Sequence, residues 1–178
     1  MLNIQNRIYE IVDELRAIAE VVSEEELEKA AEMILDARKV VFTAQGRSGN
    51  SARSLVCRMM HVGIDVHMAG QPDTPAIGEG DLLIAVSSSA GTKITLNHLE
   101  TARKAGAKTL LITAKDNVRE LADEILCIPA KTKVPSDQHA GSLFEQSVLV
   151  IGDAVCWYLM QKTGVSTELM NRRHANLQ

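Results

Sequence analysis

The sequence predicts an α/β fold, in which a doubly wound, five-stranded parallel sheet is flanked by helices and preceded by an N-terminal helical extension. Two observations predict it. From residue 38 onward, short apolar runs alternate with segments of helical periodicity, as in a parallel sheet covered on both faces. The first 37 residues carry helical periodicity alone. The chain of 178 residues suits one domain, with helices at 1–37 and the sheet, a C-terminal helix and a tail at 38–178.

Two helices are predicted in the N-terminal extension. Apolar residues recur at helical spacing from Leu2 to Val21, and we expect this amphipathic helix to pack against another subunit. Ser23, followed by three glutamates, is a helix-start signal with acidic residues in the first turn. The second helix is predicted to end near Asp36.

The periodicity then changes to that of buried strands separated by helices. The predicted strands are 39–44, 64–68, 81–87, 108–113 and 124–128, and the predicted helices between them are 48–62, 92–105 and 118–122. The strand order 2-1-3-4-5, as in flavodoxin-like sheets, fits this alternation. The segment 129–140 is long and polar for so compact a domain, which indicates a functional loop.

Composition and charge argue against several classes of protein, including nucleic-acid-binding, secreted and membrane proteins. The net charge of -4, without a basic block, argues against general nucleic-acid binding. Cys57, Cys127 and Cys156 form no CxxC pair, so we expect buried free thiols in a reducing compartment. The sequence has neither a signal peptide nor a run of about 18 apolar residues, which predicts a cytoplasmic, soluble protein.

Two loops rich in hydroxyl groups follow the first and third predicted strands. In the order 2-1-3-4-5 these loops meet where the strand order reverses, which is where ligands bind in such sheets. The residues that could hold an anion are Gly46, Arg47 and Ser48 in the first loop and Ser87, Ser89, Thr92 and Lys93 in the second. Hydroxyls and helix N-termini together suit a phosphate, although serines at such junctions are also ordinary helix caps.

The absence of two nucleotide-binding motifs restricts the class of ligand that we expect. No G-x-G-x-x-G follows the first strand, and the sequence contains no P-loop motif. The histidines have no metal-ligand spacing with another His, Cys or carboxylate, so no metal is predicted. A small phosphorylated ligand without a nucleotide remains.

Glu145 is a lone carboxylate in the first turn of an apolar C-terminal helix, most of which must be buried. That apolar surface includes Val150 and Trp157. The helix N-terminus can hold the carboxylate ionised, as a proton-abstracting enzyme requires. The alternative is a glutamate that only caps backbone N–H groups.

His61 lies near the end of the helix that starts at the first loop. At about 1.5 Å rise per residue, it lies roughly 20 Å from Ser48 and cannot serve the phosphate loop of its own subunit. Either it is an ordinary helix-end histidine or it reaches the site of a neighbouring subunit.

Several short motifs together resemble the sugar isomerase (SIS) family and, more narrowly, its 6-phospho-3-hexuloisomerases. They are Gly46-Arg-Ser-Gly49, Arg58-Met-Met-His61, Thr74-Pro75, Gly80-Asp-Leu-Leu83, Gly141-Ser-Leu-Phe-Glu145 and Arg173-His-Ala-Asn-Leu177. The resemblance covers nearly the whole chain. It implies conversion of D-arabino-3-hexulose 6-phosphate into fructose 6-phosphate, without a cofactor, in the ribulose monophosphate pathway of formaldehyde fixation.

The resemblance also implies a role for each candidate residue. Glu145 would be the base that moves a proton between C2 and C3, and His61 would come from an adjacent subunit of a tetramer. The phosphate would be bound by the hydroxyls of Ser48, Ser87, Ser89 and Thr92, with Gly46, Arg47 and Lys93 beside it.

The second loop departs from the family pattern. The family usually has S-G-S-G-E-T, whereas Ser87–Thr92 reads Ser-Ser-Ser-Ala-Gly-Thr. Two alternatives therefore stay open beside the hexulose phosphate isomerase. One is an isomerase of another phosphosugar, and the other is a non-catalytic phosphosugar sensor.

Overall fold

A computed structural model describes residues 3–176. The α-helices are α1 (Ile4–Val21), α2 (Glu24–Asp36), α3 (Gly46–Val62), α4 (Lys93–Lys104), α5 (Ser142–Thr163) and α6 (Thr167–Arg173). The strands are β1 (Val40–Ala44), β2 (Val66–Met68), β3 (Leu82–Val86), β4 (Lys108–Thr113) and β5 (Glu124–Cys127). Leu2, the predicted start of the first helix, lies outside the described residues, as does Leu177.

The five strands form one parallel sheet in the order β2-β1-β3-β4-β5. The predicted fold class and strand order are therefore confirmed. β1 and β3 lie side by side, with Ala44 opposite Val86 at their carboxyl ends. Both strands are buried along their whole length. The order reverses between them, so the loops that follow them open at the same edge of the sheet.

The N-terminal extension joins the core of the sheet domain. Ile18 of α1 and Ile34 of α2 are buried in the same apolar cluster as β1 and α5. The predicted helix start at Ser23 is confirmed, because the backbone N–H of Glu26 donates to Ser23 Oγ at 3.3 Å. One side of α1 stays exposed, including Ile4, Ile8, Tyr9 and Val12.

The short helix predicted at 118–122 is present as a single turn, and the predicted burial of all three thiols was wrong at one of them. The segment 118–122 forms one turn of 3₁₀-helix, Arg119–Leu121, because Ala122 is already extended and leaves no room for an α-helix. Cys57 is exposed, whereas Cys127 and Cys156 are buried. α3 buries Ala52, Leu55, Met59 and Val62 at helical spacing, which turns Cys57 outward. Burial raises the pKa of the Cys156 thiol to about 12.

α5 is the central helix of one side of the core. It buries Phe144, Val148 and Leu159, and Gly152 packs so closely on Leu55 of α3 that a Cβ would collide. By length and composition α5 could cross a membrane, but in this fold its buried residues share one apolar cluster with the sheet. Most of its apolar residues are buried as expected, but Ala154 is exposed, as are Val150 at 54% and Trp157 at 61%.

A buried ion cluster fixes the start of β3. The Asp81 side chain is fully buried and contacts Arg38 at 3.0 Å, Lys39 at 3.2 Å and the N–H of Gly78 at 2.9 Å. Burial alone would raise the pKa of Asp81. The hydrogen bond from Gly78 and the charges of Lys39 and Arg38 outweigh burial and hold the pKa below its ordinary value.

We expect Asp81→Asn to lower the free energy of unfolding by roughly 3 kcal/mol near neutral pH, because it leaves the buried Lys39 without its counter-charge. The folded-state pKa of Asp81 is depressed, so its contribution is complete above the ordinary value of 3.8 and is lost as the pH falls through the folded pKa. Urea unfolding of both proteins at several pH values measures this. Asp65→Asn, at an exposed acid, is the control. A difference independent of pH would contradict the account.

Candidate active site

Two helix N-termini meet at the carboxyl edge of the sheet. α3 begins two residues after β1 ends at Ala44, and α4 follows the loop that leaves β3 at Val86. Within the described chain, the N-cap residues Gln45 and Thr92 do not cap these helices with their own side chains. The first N–H groups of both helices are therefore able to bind an anion.

The second loop brings three of the predicted hydroxyl groups to the start of α4. Ser87 is buried, and its Oγ lies 3.1 Å from Oγ1 of Thr92. Ser89 is exposed, and its Oγ accepts the N–H of Gly91 at 3.2 Å. The Thr113 hydroxyl donates to the carbonyl of Ser88 at 3.2 Å, which ties the loop to β4.

Ala90 gives this loop an unusual backbone. It has a φ of 51°, in the left-handed region that favours glycine, and its side chain is buried. An alanine in this conformation costs about 1–2 kcal/mol. Gly91, by contrast, is not among the glycines with positive φ in the described chain. The loop therefore places its alanine where glycine is favoured and its glycine where other residues are tolerated.

The first loop and the start of α3 hold the remaining candidates. Gly46 has a φ of 58°, which suits glycine at this turn. Ser48 is half-buried in the first turn of α3. Gly49 lets the helix approach β1 closely, since a Cβ there would lie 3.2 Å from the carbonyl oxygen of Ala44. Lys93 is exposed at the first position of α4.

Glu145 lies against α3. Its side chain is 18% exposed, and its Oε1 lies 3.3 Å from Nη1 of Arg47. The same Nη1 donates to Ser142 Oγ at 3.0 Å, and the Ser51 hydroxyl donates to the carbonyl of Glu145 at 3.0 Å. Arg47 therefore joins the first loop to the carboxylate. The sequence offered Arg47 only as a cation beside a phosphate, and its contact with a residue 98 positions away could not be foreseen.

His61 lies at the other end of α3 from this cluster. Contacts of Ser51 with Glu145, Leu55 with Gly152 and Arg58 with Asp153 show that α3 and α5 run side by side in the same direction. His61 is ten residues beyond Ser51, hence roughly 15 Å further along the helix. The structure does not bring His61 and Glu145 of one chain together.

The C-terminal tail adds a residue to which the sequence assigned no role. The rings of His61 and His174 stack, with centroids 5.1 Å apart. Arg173 holds the tail there by donating to the carbonyls of His61 at 3.0 Å and Val62 at 2.6 Å. Burial, then the charges of His174 and Arg58, lower the pKa of His61, so its neutral form is favoured.

The family assignment follows from a comparison of this chain with known families. The SIS domain model matches residues 33–150, which is well over half of the chain. The chain belongs to the SIS domain family. The resemblance predicted from the sequence is thereby confirmed. The matched region contains both loops and Glu145, but not His174.

Curated relatives and solved structures agree with this assignment. The chain is 38% identical to a 3-hexulose-6-phosphate isomerase of Mycobacterium gastri, over 99% of this chain and 92% of that protein. It is 37% identical to the enzyme of the same name from Bacillus subtilis, over 96% and 97%. A crystal structure of a Methanococcus jannaschii protein superposes with a TM-score of 0.86 at 24% identity, covering 97% and 99% of the two chains. That last likeness shows the fold.

Among residues 3–176, no group of three or more His, Cys, Asp or Glu side chains could hold a metal ion. The groups available for chemistry at the edge of the sheet are thus a carboxylate, a guanidinium, several hydroxyls and two helix N-termini. These suit binding of an anion and transfer of a proton.

Proposed function

We propose that this SIS-domain chain is an isomerase that converts D-arabino-3-hexulose 6-phosphate into fructose 6-phosphate. The main observation behind the proposal is the contact of Arg47 with Glu145. Because of this contact, a carboxylate lies beside the first loop, whose hydroxyl and N–H groups suit a phosphate. The relatives named above, which match over nearly the whole chain, support the choice of substrate. We further propose a cytoplasmic enzyme of the ribulose monophosphate pathway, with residues 1–178 forming one domain.

Phosphate binding is assigned to the two loops. The hydroxyls of Ser48, Ser87, Ser89 and Thr92, together with the N–H groups at the starts of α3 and α4, would hold the phosphate oxygens. Lys93 and Arg47 add positive charge, and Gly46 allows the turn between β1 and α3. Binding at the phosphate then fixes the distance from the sugar carbons to Glu145.

Glu145 is the proposed base. Its carboxylate removes the proton from C2 of the 3-ketose, and the electron pair of that C–H bond forms a C2–C3 double bond while the C3 oxygen becomes negative. Transfer of a proton from the C2 hydroxyl to the C3 oxygen, and return of the carbon-bound proton from Glu145 to C3, give the 2-ketose. No net oxidation of the sugar occurs. Arg47, 3.3 Å from the carboxylate, lies where it can stabilise the negative enediolate.

His61 is proposed to act in the site of a neighbouring subunit of a homotetramer, where it would exchange protons with the sugar oxygens. Two observations support this. His61 lies far along α3 from its own Glu145, and its lowered pKa favours the neutral ring that can accept a proton. The exposed apolar residues of α1, including Ile8 and Tyr9, offer a surface for assembly.

We expect Ser87→Ala and Thr92→Val each to raise KM for the phosphosugar by about tenfold, because each removes a hydroxyl that binds substrate and transition state equally. The value of kcat should stay within about twofold. Steady-state kinetics with a coupled fructose 6-phosphate assay measures both. Thr101→Val, which removes an exposed hydroxyl from the same helix α4, is the matched control. An unchanged KM in Ser87→Ala would remove that hydroxyl from the phosphate site.

A second candidate function is isomerisation of another phosphosugar. The backbone of Ala90, which has a φ in the left-handed region, favours this second function. The methyl group of Ala90 makes the second loop stiffer than a glycine at this position would. A comparison of kcat/KM for the 3-hexulose phosphate with pentose and heptose phosphates tests it. A higher value for another sugar would identify that sugar as the substrate.

A further inference from the structure

The loop between β5 and α5 contains one buried polar side chain. Within 131–140 most residues are exposed, but Gln138 is only 7% exposed. Its backbone is fixed at both ends. Its N–H donates to Ser136 Oγ at 3.1 Å, and its carbonyl accepts a hydrogen bond from Nζ of Lys131. A buried amide in an exposed loop requires partners that satisfy it.

The partners of the Gln138 amide lie on two helices, α1 and α5. Nε2 of Gln138 donates to Oε2 of Glu14 on α1 at 2.7 Å and to Oε1 of Gln146 at 3.1 Å. Nε2 of Gln146 donates back to Oε1 of Gln138 at 2.9 Å. Glu14 also accepts the hydroxyl of Ser136 at 2.7 Å. The loop is thus clamped between α1 and the first turn of α5.

Gln146 is the residue after Glu145. We propose that Gln138 is a positioning residue for the proposed base. Its side chain is held by a hydrogen bond to Glu14 and pairs with the amide of Gln146. This pairing fixes the turn of α5 that carries the Glu145 carboxylate. The inference rests on the proposed role of Glu145. It names Gln138 and Glu14, which lie outside the binding loops.

The first turn of α5 depends on such an external contact. Its N-cap is Gly141, which has no side chain to cap the helix. Ser51 fixes the carbonyl of Glu145 from the α3 side. Gln138 fixes the side chain of the next residue, Gln146, from the loop between β5 and α5. If the second contact is lost, the turn can rotate about the first, and a displacement of about 1 Å at a reacting group can cost on the order of 100-fold in rate.

An amide is the side chain that this position requires. Gln138 donates two hydrogen bonds and accepts one, so a carboxylate there would face Glu14 with like charge and would have no proton to donate to Gln146. Exchanging the two residues restores a donor and an acceptor that face each other at positions 14 and 138. In the double variant Glu14→Gln with Gln138→Glu, the new amide at 14 can donate to the new carboxylate at 138, which still accepts from Gln146.

The test measures kcat and KM of the full-length protein for the 3-hexulose phosphate. We expect Gln138→Leu and Gln138→Glu to lower kcat by about 10- to 100-fold, with KM within about twofold because the phosphate loops are untouched. We expect the double exchange to recover kcat to within about fivefold of the wild type. Asp137→Asn is the control, since this exposed neighbour only pairs with Arg7 at the surface, and it should leave kcat unchanged.

Thermal unfolding of each variant separates positioning from folding. Loss of kcat at an assay temperature well below the unfolding midpoint, where the variant is fully folded, with recovery of kcat in the double exchange, supports the proposal. Folded single variants with wild-type kcat, or an exchange that remains as slow as Gln138→Glu, would overturn it. The proposed function is judged separately by the wild type and Glu145→Gln. If the wild type has no isomerase activity, that proposal fails, whereas an active wild type with unaffected Gln138 variants refutes the positioning role alone.

Discussion

Glu145→Gln is expected to lower kcat by about 10²–10⁴-fold while KM changes little. The amide keeps the shape of the carboxylate and a contact with Arg47, but it is not basic enough to take a proton from carbon. The hydroxyls that we propose bind the phosphate belong to other elements, so ground-state binding of the sugar should persist. Steady-state kinetics and binding of fructose 6-phosphate by calorimetry measure the two effects separately.

The control is Glu168→Gln, which removes an exposed carboxylate paired with Arg172 on α6. It should have wild-type kinetics. If Glu145→Gln kept most of the activity, Glu145 would have a purely structural role at the start of α5. If the variant lost sugar binding and catalysis together, the carboxylate would be a binding group.

Mixing two inactive variants should restore activity if the sites are shared between subunits. In this test, His61→Ala subunits are mixed and reassembled with Glu145→Gln subunits. A site built from two chains can then receive an intact Glu145 from one and an intact His61 from the other. Random assembly gives about a quarter of such sites. The gain over either inactive parent is therefore large, and a coupled assay before and after subunit exchange measures it.

Exchange itself must be verified, for example by native mass spectrometry of subunits that differ in isotope content. Unmixed parents taken through the same reassembly are the control. If hybrids form and no activity returns, His61 acts within its own chain or only supports the stacked ring of His174. The shared-site proposal would then be wrong, and another group would have to exchange protons with the sugar oxygens.

The sequence predicted the sheet well because its central strands consist mainly of apolar residues. β1 and β3 are buried at every position, and β4 begins and ends at the predicted residues, Lys108 and Thr113. Predictions of burial failed at residues whose exposure depends on which face of a helix they occupy. Cys57 and Trp157 lie in apolar stretches but on the outer faces of α3 and α5, and periodicity alone did not place them.

The candidate site was predicted in part for a similar reason. Loops that follow neighbouring parallel strands must open at one edge, so the proximity of the regions around Ser48 and Ser87 follows from strand order. The contacts of Arg47 with Glu145 and of Gln138 with Glu14 join residues about a hundred positions apart. They depend on how α1, α3 and α5 pack against one another, which local patterns do not encode.

The position of hydrogen exchange in the sugar shows which carbon atoms lose and gain a proton. Fructose 6-phosphate is incubated with the protein in D₂O, and the sugar protons are followed by NMR. The proposed reaction predicts that the wild type forms 3-hexulose phosphate with deuterium at C2 and, on the return to fructose 6-phosphate, places deuterium at C3, and that Glu145→Gln does neither. Deuterium at C1 would identify an isomerase acting between C1 and C2, and exchange at the wild-type rate in Glu145→Gln would exclude Glu145 as the base.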